Sequence, residues 1–156
     1  MSAERSILQG QSRHAELSLS RTLDGSLPAI SAGLQEMFSS DLLMALSEGS
    51  RGTVEIVLAE ALNNVVEHAY ANYSGSIEIR ITQGDGFLFV KVVDSGLPMP
   101  GEELPGGRLG QTTDIQDLQE GGFGWYLIRS LSQELTYLRD GNMNILSFCV
   151  GVDYSP

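Results

Sequence analysis

Positive charge is scarce: nine of the 156 residues are Lys or Arg against twenty Asp or Glu, a net charge of −11. Such a field repels phosphate backbones and anionic headgroups, which disfavours DNA, RNA and membrane surfaces as direct partners. A polyanion such as a nucleotide would need a local site made of backbone N–H groups, helix N-termini or a metal ion. Cysteine is nearly absent, and Cys149 has no second thiol in the chain to pair with. The opening Met-Ser-Ala-Glu-Arg-Ser lacks the apolar run of a secretory signal. Together these predict a reducing, cytoplasmic setting. No apolar stretch approaches the roughly 20 residues that a membrane-crossing helix needs, so no membrane anchor is expected. Repeats and low-complexity tracts are missing as well, which leaves hydrophobic periodicity as the guide.

The chain is 42% apolar and 19% charged, the composition of a globular protein, and its length suits one domain around one core. Residues 1–12 are polar and expected to be loose, with a single domain over 13–156. His14 to Leu19 alternates as a first strand, and Asp24-Gly25-Ser26 turns the chain into a helix from about Leu27 to Leu46. Ser47-Glu48-Gly49-Ser50 is read as its close, with a second helix starting near Gly52. That helix is the most regular segment: Val54, Val57, Leu58, Ala61, Leu62, Val65, Val66 and Ala69 recur at three and four residues. Ser76 to Gln83 and Phe87 to Asp94 flank Gly84-Asp85-Gly86 as a β-hairpin. The span 95–122 is glycine-rich and aperiodic, longer than ordinary connections, and is expected to act as a lid loop. A third helix over Phe123–Ser132 and a hairpin turning at Asp140-Gly141-Asn142 complete the chain, with Cys149 as a packed strand residue. The sum is an α+β fold, a two-layer sandwich with helices on one face of a mainly antiparallel sheet.

Three features carry chemistry. On the second helix Glu60, Asn64 and His68 stand four residues apart, a polar stripe at the margin of an apolar face. It can look into a cleft, or be a solvated helix flank. In Val92-Val93-Asp94-Ser95-Gly96-Leu97-Pro98 an aspartate ends an apolar strand; Asp can accept from an exocyclic amine and Gly lets a flat ring approach the backbone. The same pattern also begins ordinary turns. In Glu120-Gly121-Gly122-Phe123-Gly124-Trp125 a glycine cluster opens a helix, leaving N–H groups and the helix dipole open to an anion, or making a plain tight turn.

In this order, the helix Glu-x-x-x-Asn-x-x-x-His, the strand Asp-x-Gly-x-Pro, the glycine-bearing loop and the Gly-x-Gly helix resemble the histidine-kinase-like ATPase family with its Bergerat nucleotide-binding fold. Leu58-Ala-Glu-Ala-Leu-Asn-Asn-Val-Val-Glu-His-Ala-Tyr and Gly121-Gly-Phe-Gly-Trp-Tyr-Leu-Ile-Arg-Ser-Leu look most like the anti-sigma-factor serine kinases of bacterial partner switching, a resemblance running from about Leu17 to Val150. It implies that Asn64 binds magnesium and that Glu60 is the general base toward a substrate hydroxyl. It implies further that Asp94 reads adenine with Gly96 as companion, and that Gly122 and Gly124 lie beside the phosphates. Arg108, the one cation of the long loop, could reach those phosphates or be a solvated residue.

The function expected from the resemblance is an ATP- and Mg2+-dependent anti-sigma factor and serine/threonine-protein kinase. It would bind a sigma factor and phosphorylate an anti-anti-sigma (STAS-type) partner, as a homodimer. Leu42, Leu43 and Leu46 are a candidate dimer surface, though core packing explains them equally. The alternative is a non-catalytic ATP-binding regulatory module acting by protein–protein binding.

Overall fold

The computed structural model describes residues 17–105 and 123–156. Its strands are β1 (Ser18–Asp24), β2 (Ser76–Gln83), β3 (Phe87–Asp94), β4 (Gln133–Asp140) and β5 (Met143–Gly151). They form one sheet in the order β1-β2-β3-β5-β4, with every neighbouring pair antiparallel. The helices are α1 (Leu27–Met37), the one-turn α2 (Asp41–Met44), α3 (Glu48–Asn64) and α4 (Phe123–Leu131). Among the described residues no helix is long and apolar enough to cross a membrane.

Period-two alternation decides which face of the sheet is covered. Ile77, Ile79 and Ile81 of β2, Leu88, Val90 and Val92 of β3, and Leu146, Phe148 and Val150 of β5 are buried, while the intervening Arg80, Phe89 and Lys91 are exposed. The buried set forms one core with Val54, Val57, Leu58, Ala61 and Leu62 of α3 and Trp125 and Ile128 of α4. Each such aliphatic side chain contributes roughly 1.5–3 kcal/mol on burial. The architecture is the expected α+β sandwich, with its helices on one face. Cys149 is buried in β5, as expected of a packed strand residue, and burial beside Glu134 pushes its thiol pKa up.

Four local expectations are corrected. The first strand extends from Ser18 to Asp24, beyond Leu19, because Arg21 sits on its inward-facing side and pairs with Glu36 of α1 at 2.8 Å. A charge on that side hides the alternation. The helix expected over Leu27–Leu46 breaks after Met37, where the Ser39 and Ser40 hydroxyls donate to the carbonyls of Gln35 and Met37, and α2 starts afresh at Asp41. Hydroxyls that bond their own helix backbone compete with its continuation.

The next helix begins at Glu48, four residues before Gly52. Ser47 is its N-cap, its hydroxyl accepting from the Ser50 amide, and the C-terminal tail ties down the same turn through Asp153. Finally, the helix is not α throughout. Residues Val65–Ala69 form a π-helical turn, closed by the Tyr70 N–H donating to the Val65 carbonyl. Leu42, Leu43 and Leu46 are all buried, which assigns them to the core and removes them as a dimer surface. The loose N-terminal segment 1–12 and most of the lid expected over 95–122 lie outside the described residues.

Candidate functional site

The π turn shapes the site. Its last residue is Ala69, whose carbonyl has no partner within the helix, as at any helix end, and accepts the Leu97 N–H at 2.9 Å. Helix α3 and the segment after β3 are thereby joined. Gly96 lies at the contact: a Cβ there would overlap the Ala69 carbonyl oxygen and lie 2.7 Å from its carbon. The glycine is required for this close approach, so its Cβ direction faces Ala69. Tyr70 secures the same corner, its hydroxyl donating to the Ser76 carbonyl (2.7 Å) and accepting from the Ser95 N–H (2.9 Å). Burial raises the Tyr70 pKa, with the nearby Asp94 charge acting in the same direction.

Between α3, the segment 97–105, α4 and the far ends of β4 and β5 lies a cavity of about 270 Å³. That is near the small end of ligand pockets, roughly 300–1,000 Å³, and fits a flat heterocycle. Its apolar walls come from Ala61, Val65, Leu97, Met99, Trp125 and Leu146, and its polar groups include Asn64, Asp94, Tyr137 and Asn144. His68 reaches its rim from the π turn. Arg129 of α4 donates through Nε and Nη2 to the carbonyl of Pro105, a wall residue, at 3.2 and 2.8 Å.

Asp94 is only 4% exposed, at the end of β3. Its Oδ1 accepts from the Gly96 N–H (2.9 Å) and from Asn144 Nδ2 (2.8 Å), while Oδ2 accepts from no described residue. Burial raises its pKa above the ordinary carboxylate range; the Asn144 and Gly96 hydrogen bonds and the Arg139 charge oppose that shift without cancelling it. A carboxylate that lines a cavity, with one oxygen saturated and the other accepting from no described residue, is an acceptor for a ligand N–H.

Asn64 is 6% exposed and its Nδ2 is buried without a hydrogen-bond partner. Among the described residues no acceptor faces this NH2, so the donor is left for a group beyond them, while the amide oxygen lies toward Gly124. One turn earlier Glu60 is half-buried, and its Oε2 lies 2.6 Å from where a Cβ on Gly124 would stand. The first turn of α4 thus packs onto Glu60 and Asn64 because residue 124 has no side chain. Glu60 and Gly124 therefore adjoin Asn64, which lines the cavity together with Asp94, whereas Gly96 does not open room for a ring as expected, because the Ala69 backbone fills its Cβ side. Gly122 and Arg108 lie outside the described residues. The sequence pattern did not single out Tyr70, Tyr137, Arg139 and Asn144, whose contacts with this region arise from strand register and the helix end.

Among the described residues no group of three or more His, Cys, Asp or Glu side chains is placed to hold a metal. The donor set therefore fits Mg2+ only as a shared site. Asn64 would supply one amide oxygen, and phosphates and waters the rest, as suits a cation that dehydrates reluctantly.

An antiparallel sheet backed by helices, with an asparagine-bearing helix, a strand-end aspartate and the start of α4 around one cavity, defines a class of nucleotide-type site. The chain belongs to the histidine kinase-like ATPase domain family, whose profile matches residues 21–150. It is similar to proteins named Serine-protein kinase RsbW from Bacillus cereus (strain AH820), Bacillus anthracis and Bacillus thuringiensis (strain Al Hakam), each 30% identical over 95 residues. Those matches cover 60% of this chain and 59% of the relatives' length.

Proposed function

We propose that the protein is an ATP- and Mg2+-dependent serine/threonine-protein kinase and anti-sigma factor that binds a sigma factor and phosphorylates an anti-anti-sigma (STAS-type) partner. The carrying observation is the convergence of Glu60, Asn64, Asp94 and Gly124 on one region, in a chain of this family that is similar to named serine-protein kinases. In this reading the adenine lies in the apolar cavity with its exocyclic amine on Asp94. The phosphates extend toward the N–H groups that open α4, where the helix dipole favours anions. Asn64 holds Mg2+, which when bound neutralises phosphate charge. Glu60 accepts the proton of the attacking serine hydroxyl, one turn from Asn64 on the same helix. Phosphoryl transfer depends mainly on such positioning and charge neutralisation, so a protein with a net charge of −11 can perform it from a local site. The acidic surface complements a basic sigma factor. A homodimer in the cytoplasm belongs to the same proposal.

Transfer of labelled γ-phosphate to the serine of a STAS-domain partner tests it. Glu60→Gln keeps size and removes the base; it should retain ATP and partner binding while transfer falls by about 10²-fold, the low end for general-base loss. A native protein that binds ATP and labels no candidate partner would instead favour the non-catalytic regulatory module, and a fully active Glu60→Gln would remove the base role.

A further inference from the structure

Strand register sets three polar residues side by side at one end of the sheet. Asp94 of β3 is the Cα partner of Asn144 of β5, and Asn144 is in turn the partner of Arg139 of β4. Asn144 is 5% exposed, so its amide must find its partners within the protein. Its Oδ1 accepts from the Tyr137 hydroxyl (2.5 Å) and from Arg139 Nη1 (3.0 Å). The Tyr137 oxygen is itself taken by the Met99 N–H at 3.1 Å, which directs its proton to Asn144. Arg139 has only donors. The Asn144 Nδ2 therefore points the other way, to Asp94 Oδ1 (2.8 Å) and the Leu97 carbonyl (2.9 Å). A flipped amide would set its oxygen against the Asp94 carboxylate and its NH2 against a hydroxyl proton and a guanidinium, repulsive on both sides. Electrostatics, not shape, decides the orientation.

We propose that Tyr137, Arg139 and Asn144 are positioning residues for the base-reading carboxylate: they lock the Asn144 amide so that Asp94 Oδ1 is saturated and Oδ2 alone is presented to the exocyclic amine of adenine. This rests on the reading of Asp94 given above. One oxygen already holds two N–H donors, so tilting the carboxylate out of this orientation would strand both donors at a buried position. The same relay fixes the entrance of the cavity. Arg139 Nη1 also donates to the Gly96 carbonyl at 2.8 Å, and Tyr137 holds the backbone of Met99. The hairpin of β4 and β5 thus sets both the acceptor and the wall facing it.

Purine selectivity tests this with the whole chain. Calorimetric affinities for ATP and for purine riboside 5′-triphosphate, which lacks the 6-amino group, would be measured for the native protein, Tyr137→Phe and Asn144→Leu. The native protein should prefer ATP. Tyr137→Phe, which removes one oxygen, should lower the preference by about threefold, and Asn144→Leu by on the order of tenfold, on top of any loss that both nucleotides share through the cavity wall. If both variants lose affinity equally for the two nucleotides, or keep the native preference, the relay is merely structural and the proposal fails. Should Asn144→Leu not fold, Tyr137→Phe alone decides by the same ratio. A native protein with no preference would overturn the role of Asp94 itself, and the proposal with it.

Discussion

Two glycine-to-alanine substitutions should have opposite signs, and the structure sets their sizes. At Gly96 the added methyl overlaps the Ala69 carbonyl oxygen and stands 2.7 Å from both its carbon and the Ala69 Cβ, where ordinary contact begins at 3.4 Å. The backbone at Ala69 or Gly96 must retreat by more than about 0.7 Å in a densely packed corner, since the carbonyl oxygen is nearer than the atoms at 2.7 Å. Overpacking against main chain costs about 1–3 kcal/mol. The Leu97 N–H to Ala69 carbonyl bond, 2.9 Å long, is broken in the process and adds about 1 kcal/mol. Gly96→Ala should therefore lose about 2–4 kcal/mol, or roughly 5–15 °C in Tm for a domain of this size. Nucleotide affinity should fall with it, because the Gly96 N–H is one of the two donors on Asp94. At Gly52, inside α3, an added Cβ meets nothing within 4 Å. There Gly52→Ala should stabilise by about 0.5–1 kcal/mol through helix propensity alone. Urea unfolding of both variants beside the native protein gives the two values. A Gly96→Ala variant within about 0.5 kcal/mol of native would refute the argument that close approach to Ala69 dictates the glycine.

Asp94→Asn should weaken ATP binding yet stabilise the ligand-free protein at pH 7. Burial holds the Asp94 pKa above 3.8 in the folded state, so its stabilising contribution is full below the ordinary carboxylate pKa and is lost as pH rises through the raised value. The advantage of Asn in melting experiments should vanish as pH falls to that range, and an advantage independent of pH would refute the cause. Asn64→Ala should weaken ATP binding with Mg2+ present and change it much less in EDTA, as read by calorimetry; equal losses in both would make Asn64 a purely structural residue. Tyr70→Phe should cost about 1–3 kcal/mol in urea unfolding, because the Ser76 carbonyl and the Ser95 N–H both lose their partner; an unchanged midpoint would show that water replaces the hydroxyl.

Where a rule is local, the linear chain was a sufficient guide. Strict alternation in Ser76–Gln83, and the apolar run Phe87–Asp94 beyond the turn Gly84-Asp85-Gly86, mark β2 and β3 to the residue, because hairpin signals are local. Helical spacing likewise put Glu60 and Asn64 on one stripe, and the order of the helix, strand-aspartate and Gly-x-Gly motifs pointed to the family. The errors fall where a partner distant in sequence wins. Arg21 masks an alternating strand because Glu36 is there to pair with it. Ser47 reads as a helix end until the tail around Asp153 is seen to hold it at a helix start.

The roles of the glycines and of the second layer around Asp94 depend on three dimensions for the same reason. Gly96 was read as room for a ring, but the space it leaves is filled by the Ala69 carbonyl at the end of a helix distant in sequence. Asn144 lies 50 residues from Asp94, and nothing in Gly-Asn-Met-Asn-Ile distinguishes it from any polar strand residue; only the register of β3 on β5 makes the two neighbours. Composition, periodicity and motif order are properties of the chain taken a few residues at a time, and they determine elements, family and candidate chemistry. Which carboxylate oxygen is free, which amide is unpaired and which glycine must stay bare are set by contacts between segments that meet only after the sheet has formed.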